Sequence, residues 1–169
     1  MFILGLVYIS PLTDIISVLS SLKEKLNIIS QKYVDCSIII GGDFSGRVGD
    51  KNNHIDENML FNLDITCNRI SRDLFQNKRG KILLESMEDS GFFILNGRSM
   101  SDSPANFTNI SPLGCSVIDQ VWVNGKALDF VVDFKVYDIP VISCHFPIAV
   151  KIKNFNNLSN KNSEKPHVK

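Results

Sequence analysis

The chain lacks several features that would narrow its chemistry at once. Its four cysteines, Cys36, Cys67, Cys115 and Cys144, lie far apart, with no CxxC pair and none of the spacings of a zinc site. Neither sign of charge is in excess, because 18 Lys and Arg balance 18 Asp and Glu. No overall positive field therefore draws the chain to nucleic acid or anionic lipid, and any such contact must come from a local patch. The apolar opening MFILGLVYIS is too short to span a bilayer, and it has neither a basic flank nor a small-x-small cleavage site. It reads as a buried strand. Dispersed free thiols and the missing signal peptide together point to an intracellular protein, in cytoplasm or nucleus, not secreted and with no membrane partner. There is no internal repeat.

What is present suits one domain: 169 residues, 44% of them apolar. After strand 2–9, Ser10-Pro11 breaks the run and Thr13 is placed to cap a helix. Its apolar residues Ile15, Leu19, Leu22, Leu26 and Ile29 recur at three- and four-residue steps. The β-branched run Ser37–Ile40 predicts a strand buried on both faces, ending at Gly41-Gly42. Residues 44–77 read as a long polar loop with a basic end carrying Arg69 and Arg72, continued by Lys78 and Arg79. A second helix is expected over about 80–90, with Ile82, Leu83 and Met87 inward and Gly91 just past its end. Strands follow at Phe92–Leu95, Val117–Val123, Phe130–Val136 and Phe146–Ile152. The domain should therefore occupy residues 1–152, and 153–169, almost devoid of apolar side chains, should be a disordered polar tail.

The segment GGDFSGRVGD is the most telling. Two glycines permit a sharp turn and set Asp43 at a strand's C-terminal end, where open α/β sheets keep their chemistry. It is not a phosphate loop, since Arg47-Val48 replace the Lys and Ser/Thr such a loop requires. Asp50, Asn52 and His54 imitate the start of a calcium loop whose glycine and closing glutamate are missing. In SVIDQVWV, alternation sends Val117, Asp119 and Val121 to one face, so the Asp119 carboxylate needs a partner. His145, at the start of the last strand, is a candidate. Cys144 and His145 do not make a nucleophile–base pair, because neighbours on an extended strand point to opposite faces. Asn106-Phe107-Thr108 matches a glycosylation sequon, which has meaning only in a secreted chain.

In order, VYISP, an amphipathic helix, IIIGGDFSGRVGD, NKRGKILLE, GFFILNGR, NFT, SVIDQVW and SCHFPI resemble the endonuclease/exonuclease/phosphatase family. The likeness is to the C-terminal part of the apurinic-type endonuclease domains of non-long-terminal-repeat retrotransposons, and it runs from about Val7 to Ile152. The resemblance implies an α/β (α+β) sandwich of two packed sheets flanked by helices, and Mg²⁺-dependent hydrolysis of phosphodiesters. It gives Tyr8 a contact to the scissile phosphate and Asp43 the attacking water. Asp119 and His145 become a pair in which the carboxylate holds the imidazole and the imidazole stabilises phosphoryl charge.

The same resemblance marks departures. Ser45 stands where the family has an asparagine, and Cys144 where it has an aspartate, a soft sulfur in place of a hard oxygen. The family's early asparagine and metal-binding glutamate would lie before Met1, so the domain is expected to be N-terminally truncated with no metal site intact. Mg²⁺ binding should then be weak or lost, and the chain a degenerate, catalytically impaired endonuclease-like fragment. An active Mg²⁺-dependent endonuclease or phosphodiesterase is the first alternative, and a non-catalytic nucleic-acid or protein binding module the second. The expected partners are DNA, through Arg69, Arg72, Lys78 and Arg79, and a second copy, through exposed strand edges.

Overall fold

An apolar strand, an amphipathic helix and a second apolar strand at the start of a chain favour a β-α-β unit with the two strands parallel. The computed structural model, which describes residues 1–51, 55–57, 60, 64–139 and 143–153, has this unit. Strand β1 (Phe2–Tyr8) leads through helix α1 (Ile15–Lys32) to β2 (Ser37–Asp43), and β1 pairs parallel with β2. Asp14 caps α1 in place of Thr13: its carboxylate accepts hydrogen bonds from Ile16 N at 3.3 Å and Ser17 N at 3.1 Å. Strand β2 is buried from Ser37 through Ile40. It does not end at the glycines but continues through them to Asp43. Gly42 is required there by a close approach, because a Cβ on it would lie 1.9 Å from Val7 O, at a φ of +142°.

Helix α2 (Lys78–Asp89) buries Leu83, Leu84 and Met87 and is followed by β3 (Phe92–Ile94). Two short strands, β4 (Asn109–Ser111) and β5 (Gly114–Ser116), form a hairpin. Strand β6 (Asp119–Asn124) then runs antiparallel to both β2 and β3, giving a four-stranded sheet in the order β1-β2-β6-β3. A one-turn helix, α3 (Gly125–Leu128), precedes the antiparallel pair β7 (Val131–Val136) and β8 (Ile148–Ile152).

Two cores follow from the alternation of the central strands. Ile38, Ile40, Ile94 and Trp122 face α1 and α2, meeting Leu19, Leu26, Leu83 and Met87. Ile39, Val121 and Val123 face the other way and pack with Val131 and Phe134 of β7. The fold is α+β, with α1 and α2 on one side of the main sheet and α3 packed with β7 on the other. The second strand layer is the two-stranded β7–β8 pair. No helix among the described residues is long and apolar enough to cross a membrane. The proposed tail beyond Lys153, and Asn52 and His54 of the calcium-loop imitation, lie outside the described residues.

Candidate active site

Residues directly opposite one another on neighbouring strands turn their side chains to the same face. Register therefore assembles this site. Tyr8 opposes Asp43 in the β1–β2 ladder, and Asp43 opposes Asp119 in the β2–β6 ladder. Three polar side chains thus stand in a row at one end of the sheet, where Ile9 N–H donates to Asp43 O at 2.8 Å and Phe44 N–H to Ile118 O at 3.0 Å.

His145 reaches this row from another direction. It does not open the last strand, which begins at Ile148, but forms an isolated bridge with Asn109 of the β4–β5 hairpin. Phe146 N–H donates to Thr108 O and Ile110 N–H to Cys144 O, at 2.8 and 2.9 Å, so the segment around His145 is laid along the hairpin. The imidazole Nδ1 lies 3.0 and 2.9 Å from the two Asp119 oxygens. One oxygen or ring nitrogen each from Asp43, Asp119 and His145 lie within 4.8 Å of one another, the arrangement of a possible cation site. Burial raises the Asp119 carboxyl above its usual range, against the pull of its hydrogen bonds to His145 and Thr108, and the nearby Asp43 charge adds to the rise.

Other residues that hold the site gave only faint signals in sequence. Thr108, fully buried, accepts hydrogen bonds from both Ile118 N and Asp119 N through its hydroxyl oxygen, at 3.1 and 2.9 Å. Asn96 brackets the same strand, donating to Asp119 O at 3.1 Å and accepting from Val121 N at 3.0 Å. The NFT and LNGR blocks carry these two residues, and a buried polar side chain that fixes a strand by bonding its backbone leaves no periodic trace.

The substituted positions behave differently from one another. Ser45 has a left-handed φ of +47°, and its N–H and hydroxyl both meet Asp43 Oδ1, at 2.8 and 3.2 Å. Its hydroxyl is thus turned onto Asp43. The exposed Cys144 thiol accepts from Asn109 Nδ2 at 3.3 Å and is not a member of the Asp43–Asp119–His145 group.

Two of the four basic residues expected to contact nucleic acid, Arg69 and Arg79, are turned onto backbone carbonyls. Arg69 is buried, donating to the carbonyls of Asn96, Gly49 and Lys51 at 2.8, 2.6 and 3.2 Å. Burial lowers its guanidinium to about 10. Arg79 clamps the site loop to the β1–α1 turn, donating to Ser45 O at 3.3 Å, Thr13 O at 2.7 Å and Ser10 O at 3.1 Å. These two guanidiniums are used to satisfy loop carbonyls that would otherwise lack donors. Arg47, likewise, forms an ion pair with the buried Asp73. Arg72 and Lys78 remain exposed. Arg72 lines a cleft with Asn106, Phe107, Asp138 and Phe146, next in sequence to His145.

Among solved structures, the chain is similar to the endonuclease domain of TRAS1, a telomere-specific non-LTR retrotransposon. The TM-score is 0.56 at 18% identity, over 86% of this chain and 53% of that one. The chain has an endonuclease-domain fold. It spans about half the length of that domain. No protein-family model matches the sequence, and no curated protein matches it. Within the endonuclease-domain fold, the row Tyr8, Asp43, Asp119 and the imidazole of His145 are the polar groups gathered where β1, β2 and β6 meet the hairpin.

Proposed function

We propose that this chain carries the acid–base half of a phosphodiester-cleaving site that acts on DNA, in a weakened form. The convergence of Asp43, Asp119 and His145 within 4.8 Å, at the strand ends of an endonuclease-domain fold, carries this reading.

Asp43 Oδ1 is held by Ser45, which leaves the other carboxylate oxygen to orient an attacking water and accept its proton. An ionised Asp119 keeps a proton on His145 Nδ1 and fixes the ring, so that Nε2 addresses the phosphoryl oxygens as negative charge builds. Tyr8, exposed and opposite Asp43 in the β1–β2 ladder, would donate its hydroxyl to the same phosphate. Arg72 and Lys78 are the exposed cations available to the flanking backbone phosphates.

The donor set suits a loosely held hard cation. Mg²⁺ takes one or two carboxylates and completes its shell with water and substrate oxygens, and Asp43 is the carboxylate here that is not already shared with an imidazole. When bound, Mg²⁺ would supply Lewis-acid stabilisation of the phosphoryl oxygens. Two features weaken the site: no glutamate joins the group among the described residues, and Cys144, where the resembled family has an aspartate, adds no oxygen donor to it. Loss of one ligand and one positioning group costs several powers of ten in rate, roughly 10² to 10³ for each.

Nicking of supercoiled plasmid by the purified chain in Mg²⁺ tests the proposal. Slow nicking that disappears in Asp43→Asn and falls in His145→Ala is the expected result. No nicking above a protein-free control, or nicking indifferent to Asp43→Asn, would remove the hydrolytic reading.

A further inference from the structure

The segment 72–78 sets Arg72, Leu74, Phe75 and Lys78 at the surface, and its one acid, Asp73, is buried and paired with Arg47. It is tied down on two sides. Gln76 forms an isolated bridge with Val48. Asn77 donates its N–H to Arg47 O at 3.1 Å and accepts Arg47 N–H through its side-chain oxygen at 3.2 Å. Asp73 accepts from Val117 N at 3.0 Å, which fixes the segment to the chain leading into β6. The segment therefore runs alongside the site loop that follows Asp43.

On this base an aromatic ring stands in water. Among the described residues Phe75 is the only exposed phenylalanine, at 58%, and its N–H donates to Asp73 Oδ1 at 3.2 Å. The Arg47 guanidinium lies over the ring, 4.9 Å from its centroid. It is not free to swing away, because its Nε and Nη2 are held by the two Asp73 oxygens at 2.9 and 2.5 Å. A ring backed by a fixed guanidinium on a tethered segment is ordered before any ligand arrives, so stacking on its open side costs little conformational entropy.

The surroundings select what stacks there. Arg72 stands three residues before Phe75 and Lys78 three after, both exposed, and no free acid lies between them. An aromatic face flanked by cations matches a nucleic-acid strand, whose bases carry π faces and whose phosphates run to either side. In an intact duplex each base is stacked on its neighbours, and only an unpaired base can turn its face to the ring.

We propose that Phe75 is a stacking subsite for an unpaired nucleobase, with Arg72 and Lys78 holding the phosphates to either side, so that the chain takes DNA with a single-stranded stretch in preference to intact duplex. The inference rests on the DNA reading above and narrows its substrate, but it does not require that the chain cleave.

Fluorescence anisotropy in EDTA tests it, using the full chain with a labelled strand of about 12 nucleotides or the blunt duplex of the same sequence. The single strand should bind at least about fivefold more tightly than the duplex. Phe75→Ala should weaken single-strand binding about tenfold and bring the ratio of the two affinities close to one, and Phe75→Trp should restore the preference. Phe75 is exposed, so both variants should keep the parent's urea midpoint by circular dichroism. Because binding is read without Mg²⁺, a chain that nicks no plasmid still puts the subsite to the test, and a chain that nicks plasmid but fails here loses the subsite alone. No binding of either DNA, equal affinity of the parent for the two, or a Phe75→Ala loss that is absent or falls equally on both overturns the proposal.

Discussion

Gly42→Ala should be among the most damaging single-methyl changes available in this chain. Gly42 adopts a φ of +142°, and a Cβ there would stand 1.9 Å from Val7 O, 2.9 Å from Val7 C and 3.0 Å from Val7 N. None of these atoms belongs to a movable side chain, so relief requires β1 to shift away from β2. The unfavourable φ costs about 1–3 kcal/mol, and prying the parallel ladder apart brings the total to roughly 3–5 kcal/mol, against a typical stability of about 5–15 kcal/mol. The adjacent Gly41 is the control. Its Cβ would meet Val121 Cγ2 at 3.4 Å and Gln120 O at 3.8 Å, ordinary contacts, so Gly41→Ala should cost less than about 1 kcal/mol. Urea unfolding of the two variants by tryptophan fluorescence reads the difference, since Trp122 is the sole tryptophan and is fully buried. Equal midpoints for the two variants would refute the close approach of β1 and β2, and with it the placement of Tyr8 beside Asp43.

Other outcomes follow from the same geometry. Arg69→Ala should lower stability by about 2–3 kcal/mol, because three loop carbonyls lose a charged donor. Arg72→Ala should leave the urea midpoint unchanged and weaken DNA binding, most visibly at low salt. Asp102, buried and accepting from Gly97 N, Asn106 N and Asn106 Nδ2, is pushed up to about 6 by burial. The folded state therefore binds this proton more tightly than the unfolded chain, and the stability it contributes is present below the usual carboxylate value and lost as pH rises to about 6. The difference in urea midpoint between the parent and Asp102→Asn should shrink over that interval, and a difference that grows would contradict it. Ser45→Asn combined with Cys144→Asp should tighten Mg²⁺ binding by calorimetry while leaving nicking slow, and robust turnover would contradict that.

Much of the frame was legible because it rests on periodicity. The three- and four-residue spacing of Ile15, Leu19, Leu22 and Leu26 gave α1, and the β-branched run Ser37–Ile40 gave a strand buried on both faces. Asp43 could be placed at a strand end from GGDF alone, whereas Asp119, read as lying within a strand that starts at Val117, is the first residue of β6. What escaped was set by contacts distant in sequence. Gly41-Gly42 looked like a turn, yet Gly42 is needed because the Val7 backbone comes close, which no local pattern reveals. Arg69 and Arg79 counted as surface charge until their carbonyl partners, up to 69 residues away, were in view. His145 looked like a strand residue, whereas its position comes from its bridge to Asn109 and the Thr108 and Cys144 carbonyls.

The central claim is that side chains as far apart in sequence as Tyr8 and His145 form one site for a divalent cation and a phosphate. Mn²⁺ titration followed by NMR line broadening tests it most directly. Signals of Asp43, Asp119 and His145 should broaden together, at the lowest Mn²⁺ concentrations, and the effect should vanish in Asp43→Asn. Broadening that begins elsewhere, or that reaches His145 without Asp43, would contradict it.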